Sequence, residues 1–159
     1  MKKEYKDLLF QDLCSRVPHC VYIVNITPGR EDIKGTLLTI SRYQPGSVHI
    51  LTDFASGNQE FSPIEDVRPY LRTMQSMTEE EKEEYRSLCK KVSKRQFLAT
   101  GRTAWTHEMN YRYVETSYEY YDTYESIDWL NAHHFDYRSL IKKGLAIKVT
   151  KKNNPYKEL

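Results

Sequence analysis

"IKGTLLTISRYQPGSVHILTDF", Ile33 to Phe54, reads as two strands around a tight turn. In the second, Val48, Ile50 and Thr52 alternate with His49, Leu51 and Asp53, the period of two that a half-buried strand requires. Gln44, Pro45 and Gly46 supply the turn, and Gly35 marks a bend or bulge in the first strand. An isolated hairpin is marginal in water, so flanking segments must extend it.

The flanks supply more strands. "CVYIVNIT" (20–27) is a β-branched run closed by the turn "PGRED" (28–32). After "ASGN" (55–58), "QEFSPIEDVRPYL" (59–71) carries a short strand into a tight helical turn. Upstream, Tyr5, Leu8, Leu9 and Leu13 recur at helical spacing, and the helix ends near Pro18. A sheet this small must curl to bury one face. The expected fold is α+β: a small SH3/Sm-like β-barrel with an N-terminal helix.

Residues 72–144 read as a mostly helical insertion. Thr78 and Glu81 form a capping-box pattern ahead of Tyr85, Leu88, Cys89 and Val92, which share one helical face. Residues 97–121 have the aromatic and β-branched content of one or two strands, with a tyrosine-bearing loop as the alternative. Ile127, Trp129 and Leu130 suggest a short helix. Asp136 suits the cap of another over 137–143, and Gly144 suits its end. Leu145, Ile147 and Val149 then alternate inward against Lys148 in a strand at 145–150 that closes the barrel. The last ten residues read as a frayed tail. The whole is one domain over 1–159.

Composition narrows function. Twenty-four basic and 22 acidic residues leave a net charge of +2, so nucleic-acid contact requires a local patch. "KKVSKRQ" (90–96), with Arg102 and Arg112 beyond, and "KKGLAIKVTKK" (142–152) are such patches, balanced by the acidic run "EEEKEE" (79–84). Three cysteines, Cys14, Cys20 and Cys89, cannot all pair, which favours a reducing, cytoplasmic setting. No window approaches a membrane span, and no signal sequence forms at the N-terminus.

Catalytic patterns are missing. On a helix, His133 and His134 point about 100° apart and cannot share a metal. No zinc-spaced cysteine pair, nucleophile elbow or phosphate-binding glycine loop occurs, and no cofactor is called for. Binding remains. Arg95, Arg102 and Arg112 lie among Phe97, Trp105, Tyr111 and Tyr113, the mix of guanidiniums and rings that holds bases and phosphates. The plainer alternative is that the rings pack the lobe and the arginines face solvent.

"SPIEDVRPYLRTMQSMTEEE" (62–81) and "DWLNAHHFDYRSLIKKGLAI" (128–147) resemble segments shared by small uncharacterised proteins of gut Bacteroides-group bacteria and their phages. The first helix and "DLCSRVP" (12–18) resemble them more loosely, and residues 95–120 are unmatched. The resemblance implies a mobile-element setting and transfers no enzyme, cofactor or site residue. The expected function is a non-catalytic, homo-oligomeric binding protein for a protein or nucleic-acid partner. Alternatives are a counter-defence protein that sequesters a nucleotide immune signal at the Arg and Tyr residues of 95–121, and an enzyme whose site assembles across the chain.

Overall fold

The computed structural model describes residues 1–41, 46–53, 57–102 and 109–157. They form two compact units, residues 1–78 with 128–159, and residues 79–127.

The first unit opens with α1 (Lys3–Arg16), which buries Leu9 and Leu13 on one side together with Asp12 and Arg16. A 3-10 turn at Val17–His19 carries Pro18, whose missing N–H ends the helix. The sheet follows as β1 (Tyr22–Asn25), β2 (Lys34–Ile40), β3 (Ser47–Asp53), β4 (Asn58–Pro63) and β5 (Val67–Leu71), with β4 joined to β5 by a 3-10 turn at Ile64–Asp66. Strand order is β4-β3-β2-β1-β5, antiparallel throughout, and the late strand β8 (Ile147–Lys148) lies parallel to β5 at the far edge. In β2 and β3, Leu37 pairs with Ile50 and Ile40 with Val48, which puts apolar residues on the face that α1 covers. Leu140 and Leu145 join the same core from the C-terminal segment.

Several expectations change. The sheet has two ends, β4 and β8, and no strand pairing joins them among the described residues, so the closing role given to 145–150 is replaced by a two-residue parallel strand. The helical turn expected after the short strand is confined to Ile64–Asp66, and Val67–Leu71 forms a strand of its own although it contains Pro69. Its amide-free position is tolerated opposite Ile23, and Val67, Pro69 and Leu71 are buried. The irregularity of β2 falls between Leu37 and Thr39. Gly35 is needed for a different reason: a Cβ there would run into the Leu51 carbonyl. The curl of the sheet is visible in Asn25, which donates its amide to Ser62 Oγ at 2.9 Å, linking β1 to β4.

The helix expected over 137–143 is a chain of turns. Ser139 adopts φ +59, which no α-helix accommodates, and the Asp136 carboxylate accepts the Leu140 and Ile141 N–H groups at 2.7 and 2.9 Å. Gly144 has the positive φ expected of it, +71. The tail is structured as far as residue 157: Asn153 and Asn154 form side-chain turns with Thr150 and Tyr156, and Tyr156 reaches back to the sheet.

The second unit replaces the mostly helical reading of 72–144. α2 (Glu79–Leu88) is followed at once by β6 (Lys90–Arg102), paired antiparallel with β7 (Met109–Tyr121). Val92, assigned to the helix face, therefore lies on a strand. The aromatic and β-branched residues of both arms carry that preference. Lys90, Lys91, Lys94 and Arg95 had disguised β6 as the end of a charged helix. α3 (Tyr124–Ala132) leads back into the first unit. Among the described residues no helix is long and apolar enough to cross a membrane.

Candidate functional site

Two regions carry unusual side chains, and their chemistry differs. The first is the segment Asp128–Arg138. α3 ends where His134 turns left-handed (φ +58), which sends the two histidines to separate partners. His133 stacks on Trp129 at 3.9 Å and places Nδ1 2.9 Å from the Trp129 carbonyl. His134 stacks on Tyr156 at 4.0 Å with planes 12° apart. Burial pushes the His134 imidazole down to about 3, helped by the positive surroundings of Arg16, His19, His133 and Arg72. Burial raises the Tyr156 phenol above its ordinary range. Both groups are therefore neutral at neutral pH.

Around them the contacts are structural. Arg72 and Phe135 bridge as parallel strand partners, and the Arg72 guanidinium sits 4.3 Å above the Phe135 ring. Arg16, with no exposed surface, pairs with Asp12 at 2.7 Å and donates to the Phe135 carbonyl at 2.8 Å. Arg138 approaches the same Asp12 at 3.7 Å. His19 and Asp128 meet at 2.9 Å across the end of α1. Among the described residues, no three of His, Cys, Asp and Glu stand together as a metal site. Trp129, Leu130 and Phe135 are buried. The charged pair Asp12–Arg16 went unread in the sequence, although its i, i+4 spacing is a signal for such a pair.

The second region is the 79–127 unit. Its two arms meet above a polar knot. The Tyr85 hydroxyl makes a short hydrogen bond to Asp122, and Ser126 Oγ donates to the same carboxylate at 3.2 Å. Burial, then Asp122, raises the Tyr85 phenol. Thr123 and Ser126 cap α3 reciprocally, with Thr123 N to Ser126 Oγ at 2.9 Å and Ser126 N to Thr123 Oγ1 at 3.1 Å. Thr123 Oγ1 also donates to the Leu88 carbonyl at 2.8 Å, tying the end of α2 to the end of β7.

The hairpin gathers most of the residues singled out from sequence. In register, Arg95 faces Glu115, Phe97 faces Tyr113, Leu98 faces Arg112, Ala99 faces Tyr111 and Arg102 faces Met109. Trp105 lies outside the described residues. Missed by the aromatic–arginine pattern were the residues at the hairpin's base, where Lys90 pairs with Tyr121 and Lys91 with Tyr120. Tyr120, Tyr121 and Tyr124 are exposed, Tyr124 to 83%. A shallow cleft of about 550 Å3 is lined there by Glu83, Arg86, Ser87, Cys89, Lys91 and Tyr120. β6 holds five Lys and Arg and no acid, and β7 holds five Tyr, each in thirteen residues. No protein-family model, no curated protein and no solved structure matches the chain.

Proposed function

We propose that the chain is a non-catalytic binding protein that engages single-stranded nucleic acid through the β6–β7 hairpin, in a mobile-element setting. The observation that carries this reading is the pairing of a strand whose only charges are basic with a tyrosine-rich one. Cations attract the phosphate backbone, and phenol faces stack on bases without regard to sequence. With a net charge of only +2, attraction depends on local patches, and of the two basic clusters, 90–96 and 142–152, only the first is paired with a tyrosine-rich strand. The resemblance of 62–81 and 128–147 to phage-associated proteins supports the setting. For the first unit, the strand order, the 3-10 turn before β5 and the Asn25–Ser62 contact support an SH3/Sm-like barrel class.

Anisotropy of a labelled oligonucleotide tests the reading. Affinity should fall steeply with salt, with a slope of about 0.7 in log–log terms for each contact. Lys94→Glu with Arg95→Glu should weaken binding and flatten that slope. Absence of binding at low salt overturns it in favour of a protein partner, and binding that salt does not touch overturns the role given to the basic strand.

A second reading, sequestration of a nucleotide signal, draws on the cleft beside Arg86, Lys91 and Tyr120. Native mass spectrometry of freshly purified protein and a thermal shift with nucleotides separate the two.

A further inference from the structure

We propose that two copies of this chain associate through β4, edge to edge, as a two-fold symmetric dimer. This surface is independent of the hairpin.

The six-stranded sheet has two outer edges, and they are treated differently. At β8, the outward Lys148 carbonyl is already taken by the Asn153 amide at 3.0 Å, and Asn153 also accepts the Thr150 N–H at 2.6 Å. The chain's own tail therefore blocks that edge. Among the described residues, no side chain or main-chain group caps the outer edge of β4 in this way. Ile64 N donates to the Gly46 carbonyl at 2.7 Å, so the directly opposed pair Gly46/Ile64 is a hydrogen-bonded one. Bonded and non-bonded pairs alternate along an antiparallel ladder. His49/Phe61 and Leu51/Gln59 are consequently non-bonded pairs, and the N–H and C=O groups of Gln59 and Phe61 point away from β3. The ring contact of His49 and Phe61, 4.0 Å between centroids, agrees with a non-bonded pair, whose side chains stand closest. Pro63 sits where its missing N–H also faces outward, as prolines of edge strands do.

An open edge of this kind is a template for another strand, and natural proteins guard such edges with charged side chains, proline, bulges or covering segments. β6 carries that guard in Lys90, Lys91, Lys94 and Arg95. β4, "NQEFSP", carries no cation of its own; Glu60 lies 4.0 Å from Arg30 and Pro63 guards one end, which leaves Gln59 and the 48% exposed Phe61 as the open stretch. With the other edge of the sheet blocked, head-to-tail addition has nowhere to continue, and only β4 on β4 closes with point symmetry.

Register follows from charge. Centring the axis on Glu60 would set two carboxylates directly opposite each other, a destabilising arrangement. Sliding toward Gly57 runs off the strand, since Gly57 turns at φ +67. Centring on Phe61 pairs the two phenyl rings and sets Glu60 against Ser62 of the second copy. Phe61 then exchanges both main-chain bonds with its counterpart, and Gln59 N–H donates to the Pro63 carbonyl of the second copy.

Sedimentation equilibrium on the full chain tests this. The wild type should move with concentration toward twice 18.9 kDa and no further. Phe61→Lys should sediment as a monomer with unchanged thermal melting when dilute. Gln59→Pro should do the same, because it deletes only an outward N–H; if that variant does not fold, Phe61→Lys decides. A wild type that stays monomeric at every concentration overturns the proposal. So does a species larger than a dimer, or a dimer that survives Phe61→Lys.

Discussion

The Tyr156 hydroxyl accepts the Tyr22 N–H at 3.2 Å and donates to the Tyr70 carbonyl at 2.7 Å. The β1–β5 register runs through Ile23/Pro69, so Tyr22 and Tyr70 would form the next rung. A phenol from the C-terminal tail stands in for it. Tyr156→Phe keeps the ring on His134 but leaves a donor and an acceptor without a partner. It should cost about 1–3 kcal/mol, measured as a lower urea midpoint with unchanged slope.

His134 predicts a pH dependence. Its folded-state value, about 3, lies below the ordinary 6.5. The unfolded chain takes up a proton that the folded chain refuses, so stability is full above pH 6.5 and is lost as pH falls from there toward 3. The slope contributed by this one group approaches about 1.4 kcal/mol per pH unit. His134→Asn, which tolerates the left-handed backbone, should flatten the urea midpoint against pH between 6.5 and 4. An unchanged profile would remove His134 as the source.

Asp12 and Arg16 are both fully buried. Arg16→Met strands the Asp12 carboxylate, with Arg138 at 3.7 Å as its remaining cation. The loss should be about 3 kcal/mol, the low end for a broken buried pair. Adding Asp12→Leu should recover much of it, and a double-mutant cycle in urea reads the coupling.

Two glycines should respond in opposite order to their backbone angles. Gly144 has φ +71 and open space around it, so Gly144→Ala should cost about 1–2 kcal/mol in backbone strain alone. Gly35→Ala should cost about 3 kcal/mol or more, because its Cβ meets the Leu51 main chain and the β2–β3 ladder must shift. Thermal melting of the two variants side by side checks the order.

Much of the first unit was legible from local signals. The period-two runs around Ile23, Leu37 and Ile50 and the helical spacing of Leu9 and Leu13 mark the elements that form. In the segment Asp128–Gly144 the short helix around Trp129 and Leu130 and the turn at Gly144 were legible, because apolar residues at helical spacing and a glycine after lysines are local signals. The hairpin was only half legible: the tyrosines of β7 signal a strand, but the lysines of β6 suit a helix face as well as an edge strand.

Sequence alone determined which residues prefer helix or strand, where Gly144 must turn, and that no single motif declares a reaction. Tertiary structure decided what those preferences are paired with. Pro69 enters a strand because β1 supplies its neighbour, Ser139 breaks a helix because Asp136 holds the following N–H groups, and the tail orders because Tyr156 finds an unfinished rung. Each depends on groups far apart in the chain, and burial makes an unmet hydrogen bond cost more than a local preference is worth.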